Sequence, residues 1–318
     1  YGARDTVAYG ANTLKLMASI AEDCASGRVK EAARKLRKRD ESCNLIIKID
    51  APWCHGLPLI CFAAYNGNIK VVKMLIEVGA RVDGLSCDFH RSPLYLACLN
   101  GRADVVSCLL DAGARLRACD GENNSHLFAA CSSGNYDTVR AVLDSRGFEP
   151  HMLDSMIDNV TRQSPLEVAC KVKNASIVRV LLDRGANPNL ERCVFLPLDK
   201  ACLHWDETIV EMLITAGADV RKTHCRISPF CYACAQGGIL LIQAFLSAGC
   251  DVNARGERGA RFGLDAFRDS HDASGLDGLS PFEIACKRRR DCIAKMLLHA
   301  GGDVAMLDDE SKAWLAKI

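Results

Sequence analysis

Residues 92–116 read SPLYLACLNGRADVVSCLLDAGARL. Ser92, followed by proline and an apolar run, is a helix start: a short oxygen side chain caps the first turn, and proline suits it. Gly101 interrupts the run. Four residues later, Val105-Val106 and Leu109-Leu110 take the i, i+1, i+4, i+5 spacing that draws one apolar stripe along a second helix. Gly113 follows, and glycine adopts the left-handed conformation that closes helices. The stretch is therefore a short helix, a tight turn, a second helix with a glycine stop and a polar connector.

The pattern recurs. Its phrase starts at Pro58, Ser92, Ser125, Ser164, Leu196, Ser228 and Ser280, in steps of 34, 33, 39, 32, 32 and 52 residues. Nine residues after each start stands a turn position: Gly67, Gly101, Gly134, Lys173, Trp205, Gly237 and Arg289. Each second stripe is expected to end at a glycine, at Gly79, Gly113, Gly147, Gly185, Gly217, Gly249 or Gly301. One such helix pair cannot bury its apolar faces alone, so neighbours must stack.

This arrangement resembles the ankyrin repeat, marked by Thr-Pro-Leu-His-x-Ala-Ala, a glycine turn and a Val-Val-x-x-Leu-Leu helix. The copy at 92–116 has Ser92 for the threonine and Tyr95 for the histidine. The resemblance implies an all-α ankyrin-repeat solenoid of about eight helix-turn-helix units joined by short hairpin-like connectors. The expected organisation is a flexible tail at 1–12, a degenerate capping repeat at 13–50, seven repeats over 51–306 and a capping helix at 307–318. In the first cap, a helix runs through Val29, Ala32, Ala33 and Leu36. In the last, Trp314 and Leu315 turn inward. About six extra residues precede Ser164, and about nineteen precede Ser280, as an insertion at about 254–275.

Six of the eighteen cysteines finish the repeated phrase: Cys98, Cys131, Cys170, Cys202, Cys234 and Cys286. In the ankyrin register, this slot faces the neighbouring repeat and takes a small apolar side chain, which free cysteine supplies. A chain this long does not need a disulfide framework, so the thiols are expected to be reduced, as in the cytoplasm or nucleus. HCRISPFCYAC (224–234) offers His224, Cys225, Cys231 and Cys234 for zinc. The register places Cys234 in the packing slot and Cys231 in the histidine position, leaving structural thiols as the reading.

Forty basic and thirty-nine acidic residues give a net charge of +1, which argues against nucleic acid as a general partner. The runs KRRRD (287–291) and RKLRKR (34–39) suit phosphate binding or a nuclear address, but a solvated face is the commoner explanation for such runs and is the reading taken. No apolar run approaches the ~20 residues that span a bilayer, and the first residues lack the pattern of a signal peptide. A start at Tyr1 rather than methionine points to a piece of a longer protein. HWDE (204–207) lacks the second histidine of a zinc-hydrolase helix, and neither Gly-x-Ser-x-Gly nor a Gly-Lys-Ser/Thr loop occurs. No cofactor, metal or small-molecule substrate is expected, and the segment is read as non-enzymatic.

Ankyrin stacks present connector tips and the exposed side of each first helix as a concave recognition surface. Carried onto this sequence, that register exposes Phe89, Arg91, Arg192, Phe195 and Ile227 on connectors, and Leu99, Asn100, Lys171, Val172, Leu203 and His204 before the helix–helix turn. Several are apolar without a packing duty, as at binding sites. The function implied is protein–protein recognition, a scaffold or adaptor holding a segment of another protein. The alternative is an arm that positions substrates for a kinase or ubiquitin-ligase domain outside this chain.

Overall fold

The computed structural model describes residues 19–20, 22–23, 26, 28–37, 52–54, 57–84, 91–116, 125–155, 162–190, 195–204, 206–221, 228–255 and 278–318. The predicted tail at 1–12 and the insertion residues from 256 to 277 lie outside them. The described residues fall into two compact units, 1–152 and 153–318.

The first unit contains α1 (Val29–Leu36), α2 (Leu59–Asn66), α3 (Ile69–Glu77), α4 (Pro93–Leu99), α5 (Ala103–Asp111), α6 (His126–Ser133) and α7 (Tyr136–Leu143). Two short antiparallel strands, β1 (Pro52–Cys54) and β2 (Leu57–Pro58), form a hairpin ahead of α2. The second unit contains α8 (Pro165–Lys171), α9 (Ala175–Asp183), α10 (Pro197–Leu203), α11 (Glu207–Thr215), α12 (Pro229–Gln236), α13 (Ile239–Ser247), α14 (Pro281–Lys287), α15 (Asp291–His299) and α16 (Asp309–Leu315).

Within each unit the helices stack in two layers, as the repeat requires. First helices pack on first helices (α2 on α4 on α6, and α8 on α10 on α12 on α14), and second helices form the other layer. The stripes supply the core: Val105, Val106 and Leu109 in α5, and Ile177, Val178 and Leu181 in α9, are all buried. Toward the end of the second unit, Phe230 and Phe245 meet at 5.4 Å. The Phe282 ring lies so close to Gly302 that a Cβ there would sit 2.8 Å from it.

The caps follow from the sequence. Ser92, Ser125, Ser164, Ser228 and Ser280 each accept the backbone N–H three residues ahead, at 3.0–3.2 Å. Such caps contribute about 0.5–2 kcal/mol each. Leu196 has no oxygen to offer, and Asp199 instead accepts the Leu196 N–H at 3.1 Å. Gly67, Gly101, Gly134 and Gly237 take the left-handed conformation between helices, and so do Lys173 (φ 60°) and Arg289 (φ 53°).

Two expectations need correction. Gly147 does not stop the second helix of its repeat. That helix ends earlier, at Leu143, with Asp144 still right-handed and the Ser145 hydroxyl donating to the Val142 carbonyl at 2.8 Å. Gly147 lies beside Leu116, 3.7 Å from where a Cβ would be, an ordinary contact distance. In α16, Trp314 and Leu315 are only half-buried, and the buried residue is Ser311, one turn from the capping Asp308.

The six recurring cysteines are unbridged thiols and buried, none more than 2% exposed. Burial holds the Cys98 and Cys131 thiols far above their ordinary range and pushes the Cys286 thiol up to about 11. Cys231 is buried in α12 with its Sγ 3.6 Å from the Leu279 carbonyl. His224 and Cys225 lie outside the described residues. Between repeats, connector side chains tie neighbours together: Asn187 N–H donates to Asp154 at 3.0 Å, and Arg115 donates to Asp83 at 2.8 Å. No helix among the described residues is long and apolar enough to cross a membrane.

Candidate functional site

The first helices carry the expected groove positions, and each unit presents its own set. In the first unit, Arg91 lies half-buried ahead of α4 with its guanidinium 5.5 Å from the centre of the Tyr95 ring. At the other end of the helix, Leu99 is half-buried. Asn100 is turned to local use, donating to the Leu96 carbonyl at 2.8 Å. The fold therefore holds Arg91 apart from Leu99 and Asn100, at opposite ends of one helix. Tyr65, in the slot of Leu99 one repeat earlier, is 48% exposed.

The second unit brings Lys171, Val172 and His204 to the same end of neighbouring first helices and holds Phe195 at the other end. Lys171 ends α8 and is exposed; Val172 follows it, 39% exposed. On the neighbouring α10, His204 is the half-buried C-cap, and Phe195 precedes the helix. Lys200 bends back along α10 to put its ammonium 3.7 Å from the centre of the Phe195 ring. Burial lowers the His204 pKa, and the charges of Lys173, Lys200 and Lys171 lower it further. Such an imidazole is neutral near pH 7 and surrounded by positive charge. Phe89, Arg192 and Ile227 lie outside the described residues, as does the side chain of Leu203, whose backbone ends α10.

Sequence reasoning did not single out Lys200. Its slot in the repeated phrase holds Phe62, Leu96, Ala129, Val168, Tyr232 and Ile284 elsewhere, all apolar or aromatic and all but the half-buried Phe62 buried. A lysine in that column was the available signal. Ile239 and Leu240 were also missed; they open α13 at 42% and 61% exposed. The register puts Leu240 where other repeats have Lys70, Asp104, Asp137, Ser176, Thr208 or Cys292.

Glu167 stands one helix turn inside this surface. Its side chain is fully buried, and neither carboxylate oxygen has a hydrogen-bond partner. Burial pushes its pKa up to about 7; the Lys200 charge and the Ser164 backbone N–H oppose the rise without closing a hydrogen bond. In the same slot, Glu283 accepts the Ser280 N–H at 2.8 Å and pairs with Arg255 at 2.7 Å. Among the described residues, no three His, Cys, Asp or Glu side chains gather as a metal site would need.

Comparison with known proteins agrees with this geometry. The family described as "Ankyrin repeats" matches in three overlapping copies, at residues 29–120, 60–154 and 116–192, together just over half of the chain. No curated protein matches. Among solved structures, the ankyrin repeat domain of human ASB11 is 22% identical, with a TM-score of 0.57 over 77% of this chain and 98% of that one. The ankyrin repeat domain of Bcl-3, a member of the IkappaB protein family, is also 22% identical, with a TM-score of 0.57 over 75% of this chain and 97% of that one. At that identity the two structures show a shared fold alone. By its repeats, its helix pairs and these matches, the chain belongs to the ankyrin-repeat family, whose repeats serve as a general protein–protein interaction module.

Proposed function

We propose that the chain is a non-enzymatic recognition module that holds a segment of another protein against its first helices and connector tips. The observation that supports this best is the exposure of Val172. It sits at the end of a first helix whose other apolar residues, Leu166, Val168, Ala169 and Cys170, are all buried. An apolar side chain left out of a well-packed helix is a contact for something else. Tyr65 repeats the feature at the same end of α2, and Phe195 offers an aromatic face of the kind that anchors interfaces. Buried, reduced thiols suit a reducing compartment, the cytoplasm or nucleus.

The test is affinity capture with mass spectrometry on wild type, Val172→Asp and Leu240→Asp. Proteins captured by the wild type should be lost with Val172→Asp and kept with Leu240→Asp, whose change lies on a second helix. The opposite result assigns binding to the second-helix layer and ends the groove proposal.

A further inference from the structure

The position before and at the interhelical turn changes character along the chain. In the first unit it holds Tyr65, Asn66 and Gly67, then Leu99, Asn100 and Gly101, then Ser132, Ser133 and Gly134, with no charge in any of the three. In the second unit, the same position holds Lys171 and Lys173 in one repeat, the neutral His204 in the next, the uncharged Ala235, Gln236 and Gly237 in the third, and Lys287, Arg288 and Arg289 in the last, followed by Arg290 in the slot that Arg102 fills in the first unit. Lys200 adds its ammonium beside Phe195. A chain with a net charge of +1 has thus gathered positive charge on one face of one unit.

Structural duties account for only part of this. Lys171 and Lys287 end helices, where a cation complements the helix dipole. Arg289 pairs with Glu310 at 2.7 Å, and Arg290 lies over Gly237 with its guanidinium 3.5 Å from the Ala235 carbonyl. Lys173 does neither. It lies beyond the helix end, exposed, in a left-handed conformation that glycine fills at Gly67, Gly101 and Gly134. Among the described residues, Lys171 and Lys173 have no carboxylate within ion-pair distance. Glu167, on the same helix as Lys171, is buried behind the surface.

We infer that the first-helix face of the second unit, from Lys171 to the KRRR run, binds an extended acidic peptide segment, with aspartate and glutamate carboxylates on the lysines and arginines and an apolar side chain against Val172. This rests on the groove proposal and specifies the chemistry of its partner. Stacked helices lie about 8–10 Å apart, so four repeats present roughly 30 Å. An extended chain rises about 3.3 Å per residue, so about nine residues cover the face. Complementary charge of this kind governs encounter and partner choice.

A random 12-residue peptide library, displayed and selected on the full 318-residue protein, tests the inference. The selected peptides should be enriched in Asp and Glu over the unselected pool. The most enriched one, fluorescein-labelled, should bind at least ten-fold more weakly to Lys171→Glu/Lys287→Glu. It should bind normally to Lys70→Glu/Lys73→Glu, which makes the same net charge change on the second helix α3. Enrichment of neutral or basic peptides overturns the acidic partner; if Val172→Asp still abolishes their binding, the groove itself stands. Equal loss with both double variants reduces the effect to overall charge and overturns the site. A dT12 oligonucleotide that binds as tightly as the selected peptide, and competes with it, makes the face a nucleic-acid site instead. No enrichment on the wild type overturns the inference, and the capture experiment with Val172→Asp then decides separately on the groove.

Discussion

Asn253 holds Asp303 across the longest gap in the repeat: its side-chain oxygen accepts the Asp303 backbone N–H at 2.9 Å while its amide donates to the Gly301 carbonyl at 2.9 Å. Asn189 holds Asp219 and Gly217 in the same way, at 2.8 Å for both bonds. One clamp joins residues 50 apart in sequence and the other residues 30 apart, yet the contacts match. The extra connector length has left the register of stacking unchanged, in keeping with a closure cost that grows only slowly with loop length.

Asn253→Ala should therefore destabilise the protein by about 1 kcal/mol, because two exposed hydrogen bonds are lost and water replaces them in part. Asn253→Asp keeps the acceptor and loses the donor to Gly301, so it should cost less. Urea denaturation of the three proteins measures both. Equal stability of all three would remove the clamp from any account of how the repeats are held.

Glu167 predicts an unusual pH response. Its folded pKa, near 7, lies above that of an unfolded glutamate. Between the two values the folded state keeps a proton that the unfolded state has released, so stability falls as pH rises through this window and levels off above it. Glu167→Gln should be more stable than wild type at about pH 8, by about 1–3 kcal/mol, and close to it at about pH 5. Parallel stability profiles across that range would show that the carboxylate finds a partner in solution.

The cysteines divide by accessibility. Among the described ones, Cys292 is exposed, whereas Cys98, Cys170, Cys202 and Cys286 are buried. Alkylation proceeds through the thiolate, which burial suppresses. Peptide mapping after brief native labelling should find Cys292 modified and the four others modified only after unfolding. Fast labelling of those four would mean that the packing slot is open.

Gly302→Ala should cost about 1–3 kcal/mol by forcing the Phe282 ring from its place, as overpacking does. Leu181→Ala, in the α9 stripe, should cost about 2–5 kcal/mol. Phe195→Ala should cost no more than about 1 kcal/mol, the scale of an exposed contact between a ring and a cation. It should nevertheless weaken binding of an acidic peptide. Thermal melts together with peptide titration separate these cases, and a Phe195 variant that melts as early as the Leu181 variant would place the ring in the core.

Much of the fold was legible because it repeats. A single Ser-Pro-Leu phrase is a weak signal, but seven variants of it in phase locate caps, turns and buried stripes at once, and the buried cysteines follow from their column. Gly147 shows where the method fails. Counting to the next glycine assumes that the helix runs until glycine stops it, but here the chain left the helix at Asp144 through a hydroxyl bond invisible to periodicity. The Asn189 and Asn253 clamps were also hidden, since each depends on which connector lies beside which. Lys200 was visible in its column and went unread, because its contact with Phe195 forms only when the side chain folds back along the helix.

Lys173 and Arg289 carry one further consequence. A side chain in the left-handed conformation costs about 1–2 kcal/mol where glycine costs nothing. Selection for a sturdier protein alone would drive both positions to glycine, as at Gly67 and Gly101. Where their charges serve recognition, thermostability and partner affinity are opposed: Lys173→Gly, and Arg289→Gly by the smaller margin left after its exposed ion pair with Glu310 is lost, should yield a more heat-resistant protein that has lost part of its grip.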